Sequence, residues 1–163
     1  MKTLRFAALA AALGLAGLAT SAPAVAQYKQ QIGNDMSRCD GSHSAVRVTV
    51  NGISRSTGAI RVQAYRGTAA DWLVKGRWLS RIQVPARRGS MTFCVPVAGP
   101  GTYAIAVRHD VNGNGGTDIT TDGGGMSNNP PINIFNLGKP NVRQTAITVG
   151  NDVKAITINM RYM

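Results

Sequence analysis

From Ala45 onward the chain alternates apolar and polar residues with period two, and no other feature limits its fold as strongly. Val46, Val48 and Val50 fall on one face, with Arg47 and Thr49 opposite. Ile60, Val62 and Ala64 repeat this against Arg61 and Gln63, and Met91, Phe93, Val95 and Val97 follow. Tyr103, Ile105 and Val107 make another face, and their neighbours Ala104 and Ala106 are small enough for a second layer to cover. Near the end, Ile156, Ile158, Met160 and Tyr162 alternate with Thr157, Asn159 and Arg161. Period two sends successive side chains to opposite sides of a strand, so each run has one buried and one wet face. With residues 81–84 and 144–149 added, about seven strands are expected, separated by turns such as Gly99-Pro100-Gly101. The pattern predicts an all-β fold: an antiparallel β-sandwich, immunoglobulin- or prealbumin-like, as one domain over residues 45–163.

Two stretches break the rhythm. Residues 68–79, TAADWLVKGRWL, place Thr68 three positions before Asp71, which has the spacing of a capping box and predicts one short helical turn ending near Gly76. Residues 109–130, HDVNGNGGTDITTDGGGMSNNP, form one long loop. Connections beyond about 12–15 residues are uncommon without a functional reason.

The segment before the strands reads as a leader and an arm. Lys2 and Arg5 give a positive start, residues 6–18 are an apolar run, and Ala24-Val25-Ala26 is a small-x-small site. Residues 1–26 are therefore expected to be a signal peptide cleaved before Gln27, sending the chain to the periplasm or outside the cell. No cysteine follows the cut, which argues against a lipid anchor, and no second apolar run suggests a transmembrane segment. Residues 27–44 are polar and lack periodicity, and so predict an arm, loose at first and pinned at Cys39. In an oxidising compartment Cys39 and Cys94 are expected to form a disulfide worth about 4 kcal/mol in the chain-entropy model. Two buried free thiols are the alternative. Zinc has less support, because only His43 and His109 could join the cysteines and the spacing fits no zinc pattern.

Charge narrows the partners. The chain contains no glutamate, and setting aside Lys2 and Arg5 leaves 16 bases against 7 aspartates, a net charge of +9. Such a balance suits polyanions, and for an exported protein these are anionic cell-envelope polymers or polysaccharides rather than nucleic acid. Aromatic interleaving is too sparse for a nucleic-acid platform. Arg47, Arg61, Arg81, Arg108 and Arg161 all lie on wet strand faces and would make a basic stripe if their strands were neighbours; scattered solvated charges are the simpler expectation.

The long loop carries the other chemistry. Asp110, Asn112, Asn114 and Asp118 stand at relative positions 1, 3, 5 and 9, with Gly115 at 6, matching the first half of an EF-hand calcium loop. Position 12 is Thr121 rather than the glutamate that pattern needs, Asp122 is one place late, and a strand rather than a helix leads in. A helix–loop–helix sensor is thereby excluded. A structural Ca2+ site using Asp110, Asn112, Asn114, Asp118 and Asp122 stays as a candidate, against side-chain-to-backbone turns that Asp and Asn make without metal. His109, Asp110 and Ser127 supply the residue types of a hydrolase triad. No Gly-x-Ser-x-Gly elbow accompanies them, and His109 continues the buried Tyr103-Ile105-Val107 face. His109, Ser127 and Asn128 are therefore expected to anchor the loop. Trp72 and Trp78 could stack on sugar rings, as in carbohydrate-binding modules, or cover the core.

The motifs PGTYAIAVRHDVNGNGGTD and GGGMSNNP resemble those of an exported bacterial family, domain of unknown function 2141. Its hallmark is a Gly-x-Tyr-Ala strand running into His-Asp, then Asn-x-Asn, a later Asp, and a Gly-x-Ser-Asn segment. Here these are Gly101, Tyr103, Ala104, His109, Asp110, Asn112, Asn114, Asp118, Gly125, Ser127 and Asn128. The resemblance extends over most of residues 45–162. Where relatives carry a Pro-x-Glu stretch and an aromatic before Ser-Asn, this chain has a shortened TTDGGG and Met126. The resemblance implies a secreted β-sandwich and no particular activity. The reading reached is an exported, non-catalytic binding or envelope-associated module with a structured Asp/Asn loop.

Overall fold

The computed structural model describes residues 27–133 and 138–162. The expected leader lies outside the described residues. The expected sandwich forms, from two sheets. The larger is ordered β1 (Gln30–Ile32), β4 (Ser80–Pro85), β3 (Ala59–Arg66), β6 (Gly101–Asp110), β7 (Gly123–Met126), β10 (Arg161–Tyr162). β8 (Ile147–Val149) also pairs with β6, beyond the end of β7. The smaller sheet is β5 (Gly89–Pro96), β2 (Ala45–Ile53), β9 (Val153–Asn159). Most pairings are antiparallel, but β1–β4 and β2–β9 run parallel.

The alternating faces meet between the sheets. Val46, Val48 and Val50 pack with Ile60, Val62, Ile82, Phe93, Val95, Ile105, Val107 and Ile158 in one cluster, nearly all without exposure. Each such side chain contributes about 1.5–3 kcal/mol when fully buried, which makes this cluster the main stabilising element. A second, smaller cluster lies on the far side of the larger sheet, where Tyr65, Trp72 and Met126 cover Ala104. The small residues on β6 admit that layer.

Several details differ from expectation, beginning with β7, which lies inside the stretch read as one long loop. The C-terminal run is not one strand. β9 follows β2 as far as Asn159; then the Met160 N–H donates to the Asn51 carbonyl at 2.8 Å, and Arg161–Tyr162 cross to pair with β7 in the other sheet. Ile158 and Met160 stay buried through the crossing, so the alternation continues unbroken. Residues 68–79 open with a single helical turn and go no further as helix: the Trp72 N–H donates to the Thr68 carbonyl at 2.9 Å, while the Thr68 hydroxyl donates to the Asp71 carboxylate at 3.0 Å. One turn of helix, α1 (Val142–Thr145), also stands at the start of the run assigned to β8, with Asn141 and Gln144 forming its capping box.

The arm is tied down early. The Lys29 and Gln30 N–H groups donate to the carbonyls of Trp78 and Leu79, and Tyr28 donates to Asp71 at 2.9 Å. A 3-10 turn (Met36–Cys39) then delivers Cys39 to Cys94, with Cα atoms 5.8 Å apart. Two asparagines cover the edges of the smaller sheet by imitating backbone. Asn34 accepts from the Cys94 N–H and donates to the Thr92 carbonyl on β5. Asn129 accepts from the Asn159 N–H and donates to the Thr157 carbonyl on β9. Satisfied edges of this kind do not recruit further strands.

Candidate functional site

β6 carries its buried face to the loop entrance, so His109 has no exposed surface. Its Nε2 lies 2.8 Å from the Thr57 carbonyl and its Nδ1 lies 2.7 Å from the Tyr162 hydroxyl. A carbonyl only accepts, so Nε2 donates to Thr57, while Nδ1 and the Tyr162 hydroxyl share the second hydrogen bond. Ser127, equally buried, accepts from the Ile105 N–H at 3.0 Å and donates to the Thr145 carbonyl. Asn128, at φ 63°, donates to the carbonyls of Gln144 and Ala146. Among the described residues no hydrogen bond joins His109 to Ser127; each is committed elsewhere. Gly58 closes this end: at φ +70°, a Cβ there would stand 1.8 Å from the Asp110 carbonyl oxygen.

The loop is knitted by its own donors. Asn112 and Asn114 accept from the backbone N–H groups of Asn114 and Gly116, and both side-chain amides donate to one oxygen of Asp118, at 2.8 and 2.7 Å. The Asn112 and Asn114 hydrogen bonds, with a smaller share from the Arg108 charge, hold the Asp118 carboxyl below its usual range. Buried Asp122 accepts from the N–H groups of Val111 and Asp118. Asp110, 3 % exposed, accepts from the Gly115 N–H at 2.9 Å and pairs with Arg108 at 3.4 Å. The same guanidinium donates to the Thr117 hydroxyl and the Gly115 carbonyl. Arg108 is thus the cation within the loop.

In this arrangement the residues do not fit a calcium site. The asparagine oxygens are spent on backbone donors, and the asparagine amides turn N–H groups toward Asp118. Among the described residues no group of three or more His, Cys, Asp or Glu is placed to hold a metal ion. Among the described residues, Oδ1 of Asp110 is the buried side-chain oxygen of the loop that has no hydrogen-bond partner.

A second feature, which the sequence left open, lies on the wet face of the larger sheet. Arg61, Arg108, Gly124 and Arg161 stand opposite one another across β3, β6, β7 and β10. The next row is Arg81, Gln63, Ala106 and Met126. The row beyond it holds Tyr65 and Ala104, with Trp72 edge-on to Tyr65 at 5.4 Å. These residues, apart from Ala104 and Trp72, floor an open cavity of about 590 Å3, walled by the 68–79 turn and by Thr117–Ile119. Lys29, Lys75 and Lys139 add to the four arginines, so seven cations face two carboxylates, Asp118 and Asp122, among the described lining residues. Burial, then the charges of Arg108 and Arg81, push the Arg61 guanidinium below its ordinary value. Burial, with a contribution from Arg108, does the same to Arg81. Nε of Arg81 and Nε of Arg108 are buried without partners, and the Arg81 guanidinium sits 4.1 Å from the Trp78 ring centre. Gly124 leaves the floor open: a Cβ there would meet only Ile132 Cδ1, at 3.9 Å.

Four of the five wet-face arginines therefore converge. Arg47 does not; it lies on the smaller sheet and donates to the Cys39 carbonyl at 2.7 Å. The two tryptophans part company as well. Trp72 is 8 % exposed and donates to the Pro140 carbonyl at 2.8 Å, whereas half-buried Trp78 lines the cavity.

The profile of a bacterial family, described as an uncharacterized protein conserved in bacteria (domain of unknown function 2141), matches residues 48–157, more than half of the chain. The chain belongs to this family. The matched span runs from within β2 through most of β9, so the domain of unknown function 2141 here comprises most of both sheets, the Asp/Asn loop and most of the cavity floor; β1 and β10, with Arg161, lie outside it. No curated protein and no solved structure matches the chain.

Proposed function

We propose that this domain of unknown function 2141 protein is an exported, non-catalytic binding module of the cell envelope, and that its ligand is an anion held in the arginine cavity. One observation carries this reading: Arg61 and Arg108 stand directly opposite one another, Arg161 follows one strand further across Gly124, and the ion pair among the described residues of this row is the single one from Arg108 to Asp110. Like charges placed opposite on a sheet destabilise it, and burial deepens the repulsion. A bound anion would relieve both. The loop fits this role, since it fixes Arg108 from behind while Thr117 and Asp118 form part of the wall. Export is supported by the Cys39–Cys94 bridge together with the expected leader. The full engagement of His109 and Ser127 favours anchoring over hydrolysis, and the burial of Trp72 disfavours a sugar platform shared with Trp78.

Amide NMR of the 15N-labelled mature chain, titrated with inorganic phosphate, tests the site. Shifts should centre on Arg61, Arg108, Gly124 and Arg161, and should disappear in Arg61→Gln/Arg161→Gln. No shift there, or shifts unchanged in the double variant, would refute the reading. Calcium should leave the melting temperature unchanged, because Arg108 pairs with Asp110 while N–H donors already engage Asp118 and Asp122. Stabilisation by calcium that vanishes in Asp110→Ala would put a metal in the loop after all.

A further inference from the structure

We infer that the ligand is a small amphiphilic anion: one phosphate or carboxylate group joined to an apolar body, entering the cavity with its charge at the Arg61–Arg108–Arg161 row. This rests on the anion-binding reading and adds the other half of the molecule. The cavity is polarised along its strands. The cationic row sits at one end, with Ile132 close to its Gly124, and Tyr65, Leu73 and Met126 gather toward the other. From Arg61 to Tyr65 is four residues of β3, roughly 13 Å at about 3.3 Å per residue. A volume of about 590 Å3 lies within the range of roughly 300–1,000 Å3 typical of small-molecule sites. An extended polyanion would meet further cations in Lys29, Lys75 and Lys139, but it would also have to lay charge over Tyr65, Leu73 and Met126 and lose hydration there. An apolar tail gains from the same surface. The large hydrophobics of greatest exposure among the described residues are Met36, Val74 and Ile119, and both Val74 and Ile119 border this cavity. Leu73, which faces the cavity, is held at φ 55°, a conformation that costs a non-glycine residue energy and often marks a ligand clamp.

Calorimetry on the mature protein with inorganic phosphate, monomeric octyl phosphate and octanol tests the inference. Burial of a methylene strengthens binding roughly four-fold, so octyl phosphate should bind at least about 30-fold tighter than phosphate even when little of its chain is covered. Octanol should bind too weakly to measure. Gly124→Leu should abolish octyl phosphate binding, with circular dichroism confirming that the variant is folded; a Cβ there meets only Ile132 Cδ1, at 3.9 Å, on ordinary backbone. Arg161→Gln should weaken phosphate and octyl phosphate by the same factor. Equal affinity for phosphate and octyl phosphate overturns the inference and leaves the anion site standing. If neither binds, both fall. Binding of long-chain polyphosphate or of phosphatidylglycerol vesicles in the absence of octyl phosphate binding also overturns it, in favour of an extended polyanion or a membrane surface. Unaltered octyl phosphate binding in folded Gly124→Leu places the ligand elsewhere and refutes the assignment.

Discussion

Replacing Arg108 by methionine removes the loop's internal cation while keeping most of its apolar stem. The Arg108 side chain is 17 % exposed and that of its partner Asp110 is 4 % exposed, with charged atoms 3.4 Å apart. Removing one member of a buried pair costs about 3–5 kcal/mol, because the other charge stays buried. Two terms reduce this. The Thr117 hydroxyl and Gly115 carbonyl belong to exposed residues and can turn to water at little net cost. Repulsion between Arg108 and Arg61 also disappears. The net loss should be about 2 kcal/mol, or about 6 °C in melting temperature for a domain of this size. Urea and thermal unfolding followed by circular dichroism measure it. Asp110→Asn completes a double-mutant cycle, in which a coupling of about 1–2 kcal/mol is expected. Added calcium should not restore the variant. A loss under about 0.5 kcal/mol, or two single effects that simply add, would show that the guanidinium does not organise the loop.

Reduction of the bridge, or Cys39→Ser/Cys94→Ser, should lower unfolding stability by about 4 kcal/mol, given the sequence separation of 55; a loss below about 1 kcal/mol in urea would mean that the arm's own contacts hold it. Gly125→Ala places a methyl 2.6 Å from Ile158 Cγ2 and 3.1 Å from the Asn159 carbonyl oxygen. It should destabilise by about 1–3 kcal/mol, whereas Gly124→Ala should stay within about 0.5 kcal/mol, and equal effects would contradict the packing described. Asp118 is more acidic in the fold than in the unfolded chain, so its contribution is complete above the unfolded pKa and is lost as pH falls through the folded one. The loop should therefore loosen below about pH 4, and a side-chain NMR titration midpoint in the ordinary aspartate range would count against the two asparagine hydrogen bonds.

Local pattern determined which residues enter the core and that two pleated layers would bury them. A period of two depends only on backbone geometry, so Val46, Ile60, Phe93, Ile105 and Ile158 declared their side of the sheet without knowledge of any neighbour. The burial of His109 was legible for the same reason, as a polar residue that continues the Tyr103-Ile105-Val107 face. β7 was not, because Gly123-Gly124-Gly125 carries no side chains to alternate. The passage of the last run from one sheet to the other was also invisible, since Met160 is buried in either sheet. Above all, strand order is a property of the assembled sheets. Arg61, Arg108 and Arg161 are far apart in sequence, and only the pairing of β3, β6, β7 and β10 sets them side by side. Alternation says which way a side chain points; hydrogen-bonded register alone says what stands next to it, and the cavity follows from register.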